Sequence, residues 1–269
     1  MAAGEQYIDE AKISAKSANK HMPDVETAIA TPDTEMDLSV FDKVIKHEAQ
    51  TETIHGREWL MNSTIPPGLS PFDKTLYLDS DTYICADVGE LFDLLDKFEM
   101  AIARNSFKND IPGLPDPWWE YNCGVIAYTN SSDTRNFLRE WKQRYRDFIQ
   151  EQSKPKDQPA FAHTLYNSAI DFYTLPEEYN VRCNRRGALG RRAKIIHGRH
   201  AASLEQVANE LTQQDHLRVF RKRTYISSPV FKIKDRETYQ YYVEKTLSEE
   251  GFITLVKRTF SYFAETYRR

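Results

Sequence analysis

The sequence has 269 residues, a formal net charge of −4 and an ordinary share of aliphatic and aromatic side chains. That length supports one sizeable core with at most a small appended domain, and the charge gives no sign of a nucleic acid as the main partner. We recognise no signal peptide and no apolar segment long enough to span a bilayer, so we expect a cytoplasmic protein. The three cysteines, Cys85, Cys123 and Cys183, lack the paired spacing of zinc or redox sites, and we expect buried free thiols.

The first predicted elements are a helix and a strand. From Glu5 to Lys20 apolar residues recur at helical spacing, with lysines on the outer face, and the pattern stops at Pro23. Residues 25–31 then alternate as a strand. Because a helix followed by a strand is the second half of a βαβ unit, a strand should precede residue 4, and we expect this first strand to be truncated. Between residues 32 and 70 we predict a short strand at 41–45 and the end of a helix at 57–61.

The most informative stretch is an apolar run, Lys74 to Ile84, that contains two carboxylates. Its β-branched and aromatic content predicts a buried strand whose carboxyl end emerges at an edge of the sheet. Because strand side chains alternate, Asp79 and Asp81 share a face while Ser80 points away. Two hard oxygen ligands suit Mg²⁺ or Mn²⁺ with open positions for phosphates, although acidic residues at a strand end also occur in solvated turns.

Further elements follow this stretch. Asp87 with Glu90 predicts a capping box ahead of an amphipathic helix, and Asp133 predicts the cap of a second amphipathic helix. Ser203 with Gln206 predicts a short capped helix over 203–211. Strands are predicted at 100–104, 122–128, 171–175 and 194–200.

The segment from Phe72 to Asp81 resembles the Asp-x-Asp strand of GT-A glycosyltransferases, particularly the glycogenin-like retaining families. The resemblance covers residues 3 to about 200. It implies an α/β fold of the GT-A, Rossmann-like type, with a mixed sheet flanked by helices. We therefore expect a transferase domain at 1–202 and a helical extension at 203–269.

The resemblance also implies a set of metal and phosphate contacts. A late histidine completes the metal site of these families, and His197 matches its place. The next basic residue, Arg199, matches the contact to the diphosphate, and Lys74 with Arg199 would stabilise charge on the leaving group. Imidazole is an acceptable third ligand for Mn²⁺, and guanidinium neutralises phosphate charge. A lone histidine at a strand end can equally be structural.

Sugar and base contacts follow from the same resemblance. The loop before Tyr7 is similar to one whose tyrosine packs on uracil, and Asn122 with Gly124 matches the element that touches the donor sugar. Asp157 and Gln158 match a pair that lies under the anomeric carbon, and 175–180 resembles a Leu-Pro-x-x-x-Asn turn. The alternatives are a core aromatic for Tyr7, a bulge at Gly124 and a helix cap for Asp157.

Together these features predict a metal-dependent transferase that moves a sugar from a nucleotide-diphosphate sugar, a UDP-sugar, to a glycan or lipid-linked acceptor with retention. A catalytically inactive binding module remains an alternative. A haloacid-dehalogenase-like phosphatase is less favoured, because Tyr83 stands where a Thr or Val is usual and no later Gly-Asp-x-x-x-Asp occurs. A sugar nucleotidyltransferase would need a glycine-rich phosphate loop near the start.

The segment 250–269 carries an aromatic and aliphatic stripe beside basic residues. Such a helix is suited to lie on an anionic membrane and to bring the enzyme to a lipid-linked acceptor, which would place the protein at the inner face of the membrane. The alternative is that the stripe packs on its own domain.

Overall fold

The computed structural model describes residues 4–32, 34–48, 51–54, 57–60, 66–105, 111–151, 157–182, 187–199, 203–212, 218–221 and 224–227, with isolated residues between 247 and 257. The helices are α1 (Glu5–His21), α2 (Glu90–Leu94), α3 (Ser132–Glu151), α4 (Asp157–Asn167) and α5 (Leu204–Thr212). The strands are β1 (Ala28–Thr31), β2 (Lys43–Lys46), β3 (Thr51–Ile54), β4 (Arg57–Leu60), β5 (Lys74–Leu78), β6 (Thr82–Ile84), β7 (Met100–Arg104), β8 (Tyr121–Thr129), β9 (Phe172–Leu175), β10 (Val181–Arg182), β11 (Gly187–Leu189), β12 (Ile195–His197), β13 (Arg218–Arg221) and β14 (Thr224–Ser227).

The central sheet has the strand order β5-β8-β7-β9. Strand β8 pairs antiparallel with both neighbours, whereas β7 and β9 are parallel, so the sheet is mixed. Every residue of β8 from Tyr121 to Tyr128 is buried, as expected for a strand that is covered on both faces. Helices α3 and α4 cover one face through Phe137, Trp141 and Phe161, and α1 and α2 cover the other. The predicted α/β fold with flanking helices is confirmed.

A smaller sheet of order β10-β12-β6 brings distant parts of the chain together. Strand β12 runs antiparallel to β6, and His197 lies opposite Thr82 in that register. Helix α5 packs on this sheet, where Val207 and Leu211 join a core cluster with Tyr83 and Ile196. The capping box predicted for α5 is present: Gln206 N–H donates to Ser203 Oγ at 3.2 Å, and Ser203 N–H donates to Gln206 Oε1 at 3.3 Å.

Strands β1 and β2 form a separate parallel pair. In the described residues this pair is not hydrogen-bonded to the central sheet. A cavity of about 450 Å³ lies between α1, β1 and β5. Its walls are mainly apolar and include Ala15, Ile29 and Leu76.

Four local predictions are wrong. The capping box of Asp87 with Glu90 is absent, because Gly89 is the N-cap of α2 and Asp87 Oδ1 accepts from Gly89 N–H at 2.7 Å. Residues 57–60 form strand β4, which pairs antiparallel with β3, because the cross-strand ladder of a hairpin overrides a short helical pattern. The cap of α3 is Ser131, whose Oγ accepts from Thr134 N–H at 3.1 Å, and not Asp133. The run from Lys74 to Ile84 is not one strand, since the chain turns at residues 80 and 81 and β6 joins the smaller sheet.

The chain divides into two compact units, Met1–Pro229 and Val230–Arg269. The expected boundary at residue 202 falls inside the first unit, and the functional division it stands for stays a prediction. In the part of the chain that the structure describes, no helix combines the length and the apolar content that a bilayer crossing requires.

Candidate metal centre

Three side chains converge at the carboxyl end of β5. Asp79 and Asp81 lie in the turn between β5 and β6, and His197 is the last residue of β12, which pairs with β6. His197 Nε2 lies 3.4 Å from Asp79 Oδ2 and 3.5 Å from Asp81 Oδ1. One potential ligand atom from each residue lies within 4.8 Å of the other two. A single divalent ion could therefore contact all three, and the mixture of two carboxylates with one imidazole suits Mn²⁺.

The charges of the three groups support one another. Burial lowers the pKa of His197, but its hydrogen bonds with Asp79 and Asp81 raise it more, so that this pKa stands above its ordinary value. Burial raises the pKa of Asp81, while the hydrogen bond with His197 and the charge of Arg199 lower it more, and the net shift is downward. Tyr77 Oη donates to Asp79 Oδ1 at 3.1 Å, and burial raises the pKa of Tyr77, which keeps it a donor.

Gly124 makes room for this centre. A Cβ on Gly124 would lie 2.5 Å from Asp79 Oδ2 and 2.8 Å from His197 Nδ1, and nearer still to His197 Cε1. Ordinary Cβ contacts begin at about 3.4 Å, so any other residue would collide with the metal-ligand candidates. Asp79 N–H also donates to Gly124 O at 2.9 Å, which fixes the start of the turn. The space that glycine leaves is filled by the triad of Asp79, Asp81 and His197; its predicted contact with a sugar stays a prediction.

A chain of buried side-chain hydrogen bonds leads from His197 to Gln158. His197 Nδ1 lies 3.0 Å from Asn180 Oδ1, and Asn180 Nδ2 donates to Asn122 Oδ1 at 2.8 Å. Asn122 Nδ2 in turn donates to Gln158 Oε1 at 2.8 Å. The structure therefore brings the predicted residues Asn122 and Gln158 into contact with the metal-ligand candidates through Asn180, a residue that sequence reasoning placed only in a turn.

Asp157 begins helix α4. Its Oδ1 accepts the N–H of Gln158 at 2.9 Å, and its backbone carbonyl accepts from Trp141 Nε1 at 3.2 Å. These contacts give Asp157 a structural role at the helix start. The position also places its neighbour Gln158 at the end of the hydrogen-bond chain from His197.

Arg199 and Tyr7 lie together, with Arg199 close enough to Asp81 for its charge to act on that carboxylate. The Arg199 guanidinium is held by Glu10 through Nε to Oε1 at 2.6 Å and Nη2 to Oε2 at 2.8 Å, and it lies over the Tyr7 ring, 5.3 Å from its centroid. Ser80 Oγ donates to Glu10 Oε2 at 3.1 Å. Glu10 was missed by sequence reasoning. Its only signal was a polar position on α1, and its partner lies 189 residues away.

Lys74 does not lie in the site, contrary to the prediction. It opens β5 whereas Asp79 follows the end of that strand, a separation of about 16 Å at about 3.3 Å per residue. Lys74 Nζ donates to Phe92 O at 2.8 Å and pairs with Asp96 Oδ1 at 2.5 Å. Sequence proximity to the aspartates was misleading, because a strand carries its two ends to opposite edges of the sheet.

A cleft of about 580 Å³ opens beside the triad. That volume is in the range of sites for small molecules and cofactors. Its walls come from α1, the turn after β5, the start of α5 and the residues around them: Glu10, Ile13, Lys16, Ser17, Lys20, Ser80, Asp81, Tyr83, Arg199, Ser203, Leu204 and Glu205.

No protein-family model matches this sequence, and no curated protein matches it. Solved structures do match. The galactosyltransferase LgtC, determined with donor and acceptor sugar analogs, gives a TM-score of 0.52 at 14% identity over 79% of this chain and 95% of LgtC. The glycosyltransferase GlyE of Streptococcus pneumoniae TIGR4 gives a TM-score of 0.52 at 18% identity over 79% of this chain. The chain has a GT-A fold.

The chain spans 59% of the length of GlyE. At such low identities the likeness establishes the fold, which agrees with the resemblance drawn from the sequence. What the fold is used for has to be argued from the residues at the carboxyl end of β5.

Proposed function

We propose that this chain is a metal-dependent glycosyltransferase that moves a sugar from a nucleotide-diphosphate sugar, a UDP-sugar, to a glycan acceptor. The observation that carries the proposal is the convergence of Asp79, Asp81 and His197 within 4.8 Å at the carboxyl end of β5. Ligands of open α/β sheets bind at this end of the strands. LgtC, which shares the fold, was determined with donor and acceptor sugar analogs, and that supports the substrate class.

The donor set fits a divalent ion. Asp79, Asp81 and His197 would hold Mn²⁺, or Mg²⁺, with remaining positions open to the diphosphate. When bound, the ion supplies positive charge against the charge that develops on the departing diphosphate. Tyr77 orients Asp79 by donating to its Oδ1, and Gly124 leaves the space in which the imidazole lies.

Arg199 and Tyr7 would bind the nucleotide. The Arg199 side chain is about half exposed, and the bonds to Glu10 engage Nε and Nη2, so Nη1 can donate to a phosphate oxygen. Tyr7 is 45% exposed, and an aromatic ring in that state offers a stacking surface for a uracil base. Glu10 holds the guanidinium in place before the ligand arrives, which reduces the entropy cost of binding.

Asp157 and Gln158 would lie beneath the donor sugar, with Asn122 beside them. Positioning and stabilisation of the leaving group would supply most of the rate enhancement, because the sugar passes through an oxocarbenium-like state. Retention of the anomeric configuration is part of the proposal and follows from the Asp-Gln resemblance.

A lipid-linked acceptor and a membrane contact through 250–269 are proposals of a further kind. Most of that segment lies outside the described residues. Of the described part, Phe252 is 68% exposed, which is compatible with an apolar surface that meets a lipid or a partner. The inner face of the cytoplasmic membrane is the proposed location.

The inactive binding module is the competing function, since the same residues could hold a nucleotide sugar without transfer. The phosphatase alternative has no support from the GT-A fold. Titration calorimetry of UDP with and without Mn²⁺, followed by hydrolysis assays over a panel of nucleotide sugars, separates the remaining two. We expect Mn²⁺-dependent UDP binding and hydrolysis of at least one donor; binding without turnover or transfer would favour the inert module.

The variant Asp81→Asn should abolish Mn²⁺-dependent UDP binding. Lys74→Ala is the matched control, because Lys74 lies at the opposite end of β5 and is expected to leave this binding unchanged. UDP affinity that does not depend on Mn²⁺ in the unsubstituted protein would contradict the proposal.

A further inference from the structure

The side-chain hydrogen bonds that link His197 to Gln158 can be arranged in only one donor-to-acceptor direction. We infer that Asn180 is a positioning residue that fixes both the imidazole tautomer of His197 and the amide orientation of Gln158. The inference rests on the proposed transfer reaction and deepens it. Asn180 lies between the turn Glu177–Tyr179 and strand β10, which pairs with β12, and its Oδ1 lies 3.0 Å from His197 Nδ1.

The direction is set by a backbone group that can only donate. Gly124 N–H lies 3.2 Å from the side-chain oxygen of Asn122, so the Asn122 atom at that position has to be Oδ1. The other terminal atom of Asn122 is therefore Nδ2, which meets Gln158 at 2.8 Å. Gln158 must present an acceptor there, and its Oε1 faces Asn122.

The same oxygen of Asn122 also fixes the direction of the hydrogen bonds that lead to His197. It lies 2.8 Å from Asn180, which must offer its Nδ2, and this leaves Asn180 Oδ1 to face His197 Nδ1 at 3.0 Å. Only a proton-bearing Nδ1 can donate to that oxygen. The lone pair of the neutral imidazole is then on Nε2, the atom that faces both aspartates.

Burial prevents the chain from running in the opposite direction. Asn122, Asn180 and His197 are 3%, 5% and 3% exposed, so bulk water cannot replace a lost partner. An inverted amide at Asn122 or Asn180 would set two donors or two acceptors against each other. Gly124 therefore contributes twice: its missing Cβ leaves room for His197, and its N–H sets the polarity of the amides.

These hydrogen bonds also determine which side-chain atom of Gln158 is available to a ligand. Its Oε1 accepts from Asn122, and among the described residues no group accepts from its Nε2. Gln158 therefore presents a hydrogen-bond donor, and the ligand group that it meets should be an acceptor, such as a sugar hydroxyl or a phosphate oxygen. A role for Gln158 through a free carbonyl oxygen is disfavoured by this arrangement.

Two substitutions at Asn180 test its contact with Asn122 separately from its contact with His197. Asn180→Asp keeps an oxygen for His197 Nδ1–H but removes the donor to Asn122. We expect Mn²⁺ affinity, measured by electron paramagnetic resonance without donor sugar, to be retained within about threefold, while kcat for donor hydrolysis falls by about tenfold or more. Asn180→Leu removes both contacts, and we expect Mn²⁺ affinity to fall by about 10- to 100-fold as well.

A third variant and a control complete the design. Asn122→Asp keeps the acceptor for Gly124 and Asn180 but takes the donor away from Gln158, so it should lower kcat and leave Mn²⁺ affinity unchanged. Asn136→Asp, on the exposed face of α3, adds the same charge away from the chain and should alter neither quantity. Circular dichroism in the absence of metal checks that each variant is folded.

The outcomes distinguish this inference from the proposed function. If the unsubstituted protein binds neither Mn²⁺ nor a nucleotide sugar, both fail. If it does both and Asn180→Leu keeps full Mn²⁺ affinity, or Asn180→Asp keeps full kcat, the inference alone is overturned. Should Asn180→Leu not fold, the contrast between Asn180→Asp and Asn122→Asp still decides, because a loss of Mn²⁺ affinity in either would contradict the assigned direction.

Discussion

Replacing Gly124 by alanine tests how closely the backbone of β8 approaches the metal-ligand candidates. The added Cβ would lie 2.5 Å from Asp79 Oδ2 and 2.8 Å from His197 Nδ1, against an ordinary contact of about 3.4 Å. Asp79 would have to retreat by about 0.9 Å and the imidazole by at least about 0.6 Å, differences that follow from those distances. His197 is 3% exposed and bonded to Asn180, so it cannot move without losing that contact.

The size of the effect follows from these displacements. Disturbing the groups that orient metal ligands typically costs about 10- to 100-fold in metal affinity, and we expect Gly124→Ala, which displaces two ligands, to weaken Mn²⁺ binding by about 100-fold. Overpacking should also lower the free energy of unfolding by about 1–3 kcal/mol. Both effects arise from the same collision, so they should appear together.

The assay pairs Mn²⁺ titration, followed by calorimetry, with thermal unfolding in the presence of a chelator. Gly68→Ala is the matched control, since a Cβ on Gly68 meets nothing within 4 Å, and it should change neither quantity. If Gly124→Ala bound Mn²⁺ as tightly as the unsubstituted protein, His197 and Asp79 would not pack against β8 as described, and the reasoning would be refuted.

Four further predictions concern the stability of the fold, the pH dependence of metal binding, the pH dependence of unfolding, and Lys74. Ser17→Ala should lower the free energy of unfolding by about 1–3 kcal/mol, because the buried Oγ accepts from Ile84 N–H at 2.9 Å. Denaturant titration measures this loss, and the exposed control Lys16→Ala should show little change. Equal stability of the two variants would contradict the contact. Apparent Mn²⁺ affinity should rise with pH through the raised pKa of His197, because the ion displaces the imidazole proton; a flat profile from about pH 6 to 9 would argue against His197 as a ligand. In the metal-free protein the free energy of unfolding should instead fall as the pH rises. The protonated imidazole of His197 stabilises the fold fully below its ordinary, unfolded-state pKa, and unfolding measured at increasing pH should show this stability being lost through the raised pKa of the folded state. Lys74→Ala should lower the free energy of unfolding, measured by thermal unfolding, by at most about 1 kcal/mol, since its partner Asp96 is solvent-exposed. The variant should keep Mn²⁺-dependent UDP binding. Loss of that binding would show that Lys74 belongs to the site.

Local sequence patterns predicted features of the structure that depend only on neighbouring residues. The apolar run before Asp79 forms strand β5, and the turn that follows it, not strand alternation, brings Asp79 and Asp81 to the same imidazole. Ser203 and Gln206 form their capping box because it needs only one turn of helix. The single strand expected through Ile84 failed because β6 pairs with β12, more than 100 residues later, and no local pattern records that partner.

The long-range parts of the site were accessible only through order along the chain or not at all. The resemblance implied His197 and Arg199 through their order along the chain, whereas Glu10 and Asn180 act through partners that local spacing does not reveal. Lys74 shows the reverse error, in which closeness in sequence suggested closeness in space. Gly124 was matched to an element that touches the donor sugar, whereas the structure shows that the missing Cβ leaves room for the side chains of Asp79 and His197.

One divalent ion should join Asp79, Asp81 and His197 to a nucleotide diphosphate, and the rest of the proposed chemistry depends on that ion. It can be located by an anomalous difference map, recorded at the manganese edge, from crystals grown with Mn²⁺ and UDP. We expect a single peak about 2.0–2.3 Å from His197 Nε2 and from an oxygen of each aspartate, with diphosphate oxygens in the remaining positions. UDP bound without a peak there, or a peak that His197 does not reach, would show that these three side chains do not form the metal site.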